Sequence, residues 1–371
     1  MRIAFLCKRR YMGKDVILDR YARLYEIPFQ LARLGHDVRG FCLSYQGHDE
    51  GIWEHEATPG KLGWESRSLG RLYLPALAGY PWRLLRRLRE YAPDVVIGAS
   101  DIPHVVLAGW LARRLGVPYA ADLYDNFEGF GQARLPGMVT ALRRAVRAAA
   151  LVTTTSEPLK ELVVDTYRAR GEVIAMPSTV DKSVFQTRNR MDCRRALGLP
   201  EDARLVGTAG GLHRDKGVDA LYAAWPTIAA QYPDAHLVLA GPFDAGFPPP
   251  ADRHVHYLGQ LPHARTAELF NALDVGVIYL RDTPFGRYCF PQKAYEMLAC
   301  GLPIASARIG VMPHLLASAP TGLYVPDDPA DLARAVLDLL GHPEVARVAI
   351  DDWAHIVGLM EERLRLIVGD V

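Results

Sequence analysis

Two charged residues three apart, Lys293 and Glu296, carry the clearest chemistry in this sequence. They lie in the run Phe285-Gly-Arg-Tyr-Cys-Phe-Pro-Gln-Lys-Ala-Tyr-Glu-Met-Leu-Ala-Cys-Gly-Leu-Pro-Ile-Ala305. Proline suits the first turn of a helix and glycine the position just past its end. The run therefore reads as a loop, a helix opening at Pro291, a stop at Gly301 and a buried strand. Residues three apart share a helix face. Both charges then sit beside N–H groups that have no partner within the helix. A cation there suits a phosphate. A carboxylate only accepts and takes two donors, which suits a pair of sugar hydroxyls. A nucleotide-sugar offers both groups. A solvated Lys–Glu pair on an amphipathic helix fits the same residues equally well.

A second candidate is Gly207-Thr-Ala-Gly-Gly-Leu-His-Arg-Asp-Lys-Gly217, which joins a strand to a helix. Glycines let the backbone approach a ligand closely, and Lys216 stands at the coming helix N-terminus, an arrangement suited to a pyrophosphate. The spacing matches neither the Walker nor the dinucleotide pattern, and a plain tight turn is the competing reading. In the first half, Tyr119-Ala-Ala-Asp-Leu-Tyr-Asp125 ends a strand in a polar cluster. Asp125 or Asp122 is a candidate to polarise an acceptor hydroxyl, against helix capping or an ion pair. His104 follows another strand and is a further candidate, against a structural histidine. Gly13, in Tyr11-Met-Gly-Lys14, follows the first strand and suits either a phosphate loop or a surface turn. Two arginine-rich helices, Trp82 to Arg89 and Ala141 to Arg147, suit either contact with anionic lipid or a solvated face.

The run from Phe285 to Ala305 resembles the donor-binding signature of the retaining glycosyltransferases of family 4, which have the GT-B fold. That family shows two glutamates eight apart, then Ala-x-Gly-x-Pro. Here Glu296 and Ala299-Cys-Gly-Leu-Pro303 fit, while Tyr288 takes the place of the first glutamate. The Pro-x-Lys-x-x-Glu version found in the same superfamily is met by Pro291, Lys293 and Glu296. The resemblance implies that Lys216 meets the donor diphosphate, with Gly211 standing where the family has an arginine and Arg214 a replacement. It implies donor contact for Gly13, Tyr288, Phe290 and Pro291 as well. Tyr124 stands where the family often has a histidine. Gly35-His-Asp-Val38, Thr154-Thr-Ser156, Pro177-Ser-Thr-Val-Asp181 with Phe185, and Asp352-Trp353 extend the resemblance over nearly the whole chain.

These residues need elements to hold them. Short apolar runs alternate with helical patterns, which argues for parallel sheets built from βαβ units. The first series predicts strands near 2–7, 37–43, 94–98, 118–122, 151–155 and 172–176. A helix precedes Gly35, with Pro28 expected to kink it. Gly47 to Gly70 shows no period and reads as loop. The second series predicts strands near 204–209, 236–240, 255–258, 275–280 and 302–306, with helices near 218–231, 264–272 and 291–300. Asp181–Pro200 between them reads as a linker. The expected fold is α/β, of GT-B type: two doubly wound Rossmann-like domains facing a cleft. Residues 1–186 would hold the acceptor, 187–350 the nucleotide-sugar, and 351–371 a helix that, by the resemblance, crosses back to the first domain.

With 371 residues, two domains are the default. A net charge of +1 gives no global case for nucleic acid, which is not expected as a partner. Cys7, Cys42, Cys193, Cys289 and Cys300 are scattered, with no C-x-x-C, as in a reduced cytoplasmic protein. No apolar run reaches the length of a membrane span. There is no Asp-x-Asp and no clustered metal set, so neither metal nor cofactor is expected. The expectation is a retaining, metal-independent hexosyltransferase that uses a UDP- or GDP-sugar. Its acceptor is a glycan or a lipid-linked molecule, in polysaccharide or glycoconjugate synthesis. It would be cytoplasmic, with peripheral contact at the inner membrane face. The alternatives are an inactive GT-B partner protein and another GT-B enzyme such as a sugar-nucleotide epimerase.

Overall fold

The structure, a computed structural model, describes residues 1–69 and 73–369, with backbone alone for 73–78. The chain forms two compact units, Met1–Ser178 with Trp353–Val371, and Thr179–Asp352.

The first unit is built on an eight-stranded sheet. From one edge its order is Glu172–Ala175, Leu151–Thr154, Tyr119–Leu123, Val95–Gly98, Arg2–Lys8, Asp37–Ser44, Lys61–Ser68 and Gly51–His55. All neighbours are parallel except the last pair. The central strand Arg2–Lys8 is buried along Ile3 to Cys7, as expected of a parallel strand covered on both faces. The segment read as loop from Gly47 holds two strands instead, while Gly70 lies outside the described residues. Lys61–Ser68 hides from pattern reading because Glu65 and Ser66 are buried beside Leu62 and Trp64. Glu65 is buried at the cost of pairing with Arg87, at 3.1 Å. Gly40 on the neighbouring strand makes room for the Trp64 indole, since a Cβ there would stand 2.1 Å from the ring.

The first helix runs Arg23–Arg33, ahead of Gly35 as expected, with Pro28 inside it. The last helix, Trp353–Val368, packs on it, and His36 Nε2 meets Glu361 Oε1 at 2.8 Å; residues 370 and 371 lie outside the described ones.

The second unit has a six-stranded parallel sheet. Its order is Val255–Tyr257, Ala235–Ala240, Arg204–Ala209, Val275–Ile278, Ile304–Ala307 and Leu323–Tyr324. Helix Val218–Gln231 follows strand Arg204–Ala209 and Gln292–Ala299 precedes Ile304–Ala307. The stretch read as linker contains a helix, Arg190–Leu197, with Asn189 capping its start and Gly198 in the left-handed conformation at its end. Phe285 to Tyr288 is not loop either. Pro284–Tyr288 forms a short helix that Thr283 caps.

Candidate functional site

In each sheet the order of strands reverses at one place, and ligands of open α/β sheets bind beyond the carboxyl ends of the strands there. In the second unit the reversal falls between Arg204–Ala209 and Val275–Ile278. The first of these strands ends in Gly210 and Gly211. Gly210 has a φ of +113°, which favours glycine, and a Cβ on Gly241 would stand 2.0 Å from the Gly210 oxygen. The loop is thus shaped by close backbone contact.

Two cations converge on that loop. A Cβ built on Gly210 would lie 3.6 Å from Lys293 Nζ, and one on Gly211 would lie 3.3 Å from Lys216 Nζ. Neither lysine forms an ion pair among the described residues. Lys293 Nζ sits 4.9 Å above the Tyr279 ring, and the Tyr279 hydroxyl donates to the Gly211 oxygen at 2.9 Å. Burial, and then the Lys216 charge, pull the Lys293 pKa down to about 8. Glu296 is 9% exposed, and burial pushes its carboxyl up to about 7, with Lys293 opposing. Pro291 is the N-cap of the helix that carries both residues. Phe290 packs edge-on against Tyr295, with centroids 4.7 Å apart, and Tyr288 ends the short helix, half-buried.

The remaining cations of this region do other work. Arg214 does not reach into the glycine loop: its guanidinium lies 4.9 Å over the Phe247 ring, and its backbone N–H donates to Asp244 Oδ2 at 2.9 Å. Arg281, which sequence reasoning missed, fixes the turn by donating to the Arg214 oxygen at 2.8 Å. It also grips Asp219 and Asp327, each at 2.6 Å.

In the first unit the reversal falls at Arg2–Lys8, between Val95–Gly98 and Asp37–Ser44. A cavity of about 690 Å³ lies there, lined by Lys8, Arg10, Tyr45, His48, Asp101 and Gln132 among others. Ser100, between the strand end and Asp101, is fully buried with a φ of +83°, a strained conformation for a residue with a side chain. Its hydroxyl accepts the Lys8 N–H at 2.9 Å. Lys8 Nζ donates to the Tyr124 hydroxyl at 2.9 Å. Burial pulls the Lys8 pKa down, with Asp101 opposing. Asp101 caps helix Ile102–Leu115 and meets His104 Nδ1 at 2.6 Å. Burial pushes the Asp101 carboxyl up, but the adjacent His104 outweighs it and holds the pKa below its ordinary value.

The sequence-based candidates fare unequally. His104 is 2% exposed, so it stands behind Asp101 with Nε2 unpartnered among the described residues. Asp122 is fully buried and held by Arg23 at 2.6 Å and Thr153 at 2.6 Å. Arg23 reaches on to the Met176 oxygen. Asp122 is therefore a buried anchor, closed off from an acceptor hydroxyl. Asp125 is half-buried and accepts the Asn126 N–H at 2.7 Å, while Asn126 caps the turn that follows. Gly13 and Met12, with φ of +81° and +50°, form the tight turn between Arg10–Tyr11 and Lys14–Asp15. That turn lines the cavity of the first unit. Lys8, Ser100 and Asp101 were missed, and their only signal was a place at the ends of strands whose order the sequence does not reveal.

A model of the glycosyl transferases group 1 matches residues 203–342, and one of a glycosyl transferase 4-like domain matches residues 23–179. The D-inositol 3-phosphate glycosyltransferase of Stackebrandtia nassauensis is 31% identical over 274 residues, 68% of this chain and 59% of that protein. The chain thus spans about three fifths of the length of the first such relatives. Sucrose-phosphate synthase from Thermosynechococcus elongatus has the same fold, with a TM-score of 0.76, 20% identity and complete coverage of both chains. An Anabaena protein solved in complex with UDP gives a TM-score of 0.66 at 17% identity, over 100% of this chain and 98% of that one. With glycosyltransferase models matching both of its sheets in turn, the chain belongs to the family 4 glycosyltransferases of the GT-B fold.

Proposed function

We propose that this protein is a retaining glycosyltransferase that moves a hexose from a UDP- or GDP-sugar to an acceptor hydroxyl. The observation that carries the reading is the convergence of Lys216 and Lys293 on the Gly210–Gly211 loop, with Glu296 buried on the same helix as Lys293. Two cations with no ion-pair partner among the described residues suit a diphosphate, and Glu296 suits the ribose hydroxyls. As the bond to the sugar breaks, negative charge grows on the diphosphate, and fixed positive charge there stabilises the transition state. A retaining mechanism of this kind uses no protein nucleophile. The leaving phosphate takes the acceptor proton on the same face, so positioning supplies much of the catalysis. Lys216 and Lys293 supply the charge that a divalent ion would otherwise bring, so activity needs no metal.

The acceptor side of the proposal is the cavity of the first unit. Lys8, Arg10 and His48 suit an acceptor that carries a phosphate, and Asp101, Tyr45 and Gln132 suit its hydroxyls. Sugar phosphates and lipid-linked sugar phosphates share that chemistry, and the name of the Stackebrandtia relative points to a phosphorylated polyol. Asp125, at the end of the neighbouring strand, is proposed to orient the attacking hydroxyl. The proposal places the protein in a reducing, cytoplasmic setting, on five scattered cysteines with no C-x-x-C.

The test begins with a thermal-shift screen of UDP, GDP, ADP and their sugars. A ligand at 100 times its Kd stabilises by about 2.7 kcal/mol. A turnover assay with phosphorylated polyols and lipid-linked acceptors follows. Formation of a glycoside with retained configuration supports the reading. Donor consumption without a glycoside identifies an epimerase. Donor binding with no turnover on any acceptor identifies an inactive partner protein.

A further inference from the structure

Helix Ile102–Leu115 packs between Tyr73–Tyr91 and Met138–Ala148 on the first sheet. From Gly79 onward the three helices carry nine arginines and a single acid, Glu90, although the whole chain has a net charge of only +1. Arg87 and Arg143 pair with Glu65 and Glu128. Arg86, Arg113, Arg114 and Arg144 are exposed and form no ion pair among the described residues. At the seam between the first two helices, Trp82 is 57% exposed and meets Trp110 edge to face, with centroids 5.1 Å apart. Arg114 lies against both rings, at 5.6 and 5.2 Å.

We infer that this three-helix face docks on an anionic lipid bilayer. The sequence showed two arginine-rich helices; the structure adds the middle helix and joins them into one face. A broad patch in which arginines outnumber acids, and in which Arg86, Arg113, Arg114 and Arg144 form no ion pair among the described residues, is complementary to a surface of anionic headgroups. Tryptophan rings settle at the headgroup level of a bilayer, and arginine stems lie along them while the guanidinium stays in water. Single-stranded nucleic acid stacks on rows of open ring faces, whereas here two rings meet edge to face with an arginine against them. The inference stands independently of the transferase reading.

The test is co-sedimentation of the full chain with phosphatidylcholine vesicles, with and without a minority of phosphatidylglycerol. Binding is expected to the anionic vesicles alone, and to be lost when salt is raised from about 0.1 M to about 1 M, where the screening length falls from about 10 Å to about 3 Å. Reversing one exposed arginine per helix, as Arg86→Glu, Arg113→Glu and Arg144→Glu together, should weaken binding at least a hundredfold, since each basic residue contributes about fivefold. The matching Arg→Lys triple should retain it. Trp82→Ala should reduce binding without abolishing its salt dependence. Unchanged circular dichroism and melting temperature show that the variants are folded. Equal binding to neutral vesicles, no binding to either, binding to a single-stranded RNA but not to vesicles, or a Glu triple that binds like wild type would each overturn the inference.

Discussion

In the second unit, Lys216 and Lys293 crowd one glycine loop with no ion-pair partner among the described residues. In the first unit the charges around the strand ends lean on one another. Lys8 bonds Tyr124, Asp101 holds His104, Asp122 holds Arg23, and Arg10 bonds Gln46 at 2.6 Å. The first arrangement leaves positive potential to be met by whatever binds. The second spends its charges on internal geometry and presents a shaped, polar wall. The difference fits a generic anion on one side and a particular acceptor on the other. It also says which substitutions should damage binding and which should damage the fold.

The largest effect is expected where a charge is wholly internal. Asp122→Asn leaves Arg23 buried without its counter-ion, and breaking such a pair costs about 3–5 kcal/mol. Urea denaturation should show that loss. An unchanged midpoint would mean that the pair is not structural and that the contrast between the units is misdrawn.

Glu296→Gln should act in two directions. Removing the carboxylate weakens nucleotide affinity by about 1.5–3 kcal/mol if it accepts the ribose hydroxyls. Stability should move the other way. The Glu296 pKa rises from 4.5 to about 7 on folding, so the folded state binds more protons between those values and stability falls as pH rises through that window. Above pH 7 the full cost is present, and Gln removes it. The variant should therefore melt higher than wild type near pH 8 and match it near pH 4. Calorimetric titration and melting curves read both, and a loss of affinity together with a lower melting temperature at pH 8 would contradict the assignment.

Asp125→Asn sharpens the contrast within the first unit. It should cut turnover about tenfold by misplacing the hydroxyl, with donor affinity and melting temperature little changed. A drop in melting temperature with proportional losses in both kinetic constants would assign Asp125 to structure, alongside Asp122.

The smallest effect belongs to a site remote from the glycine loop. On the edge strand Val255–Tyr257 of the second sheet and its neighbour Ala235–Ala240, His256 Nε2 and His236 Nδ1 stand 2.8 Å apart. Burial lowers the pKa of both from 6.5, and the neighbouring histidines lower it further. The unfolded chain then binds more protons just below pH 6.5, so this part of the stability is whole above that pH and is lost as pH falls through it. His236→Asn should flatten that slope in melting temperature against pH. An unaltered slope would place the acid sensitivity elsewhere.

The cluster proposed to hold the donor was legible as a cluster because Lys293, Glu296 and Lys216 sit on single strand–helix units, where local spacing decides the geometry. The same holds for most strands, which are continuous apolar runs. The cavity of the first unit was not legible. Lys8 and Asp101 are 93 residues apart and meet only because Val95–Gly98 lies beside Arg2–Lys8, a fact of strand order. Lys61–Ser68 escaped because a buried glutamate paired with arginine breaks the apolar pattern. Arg190–Leu197 escaped despite its Asn189 and Gly198 punctuation, because its surface is charged nearly all round. Arg214 misled because proximity in sequence to Lys216 says nothing of a guanidinium that finds an aromatic ring first.

The central claim is that the lysine pair of the second unit does the work of holding a diphosphate unaided. Calorimetric titration of UDP into the full chain in excess EDTA tests it, with wild type beside Lys216→Ala and Lys293→Ala. One charge-assisted contact is worth about 1.5–3 kcal/mol, so each variant should bind about tenfold to a hundredfold more weakly, with its melting temperature kept. Wild-type binding that appears only when magnesium or manganese is added, or variants that bind UDP as well as wild type does, would contradict it.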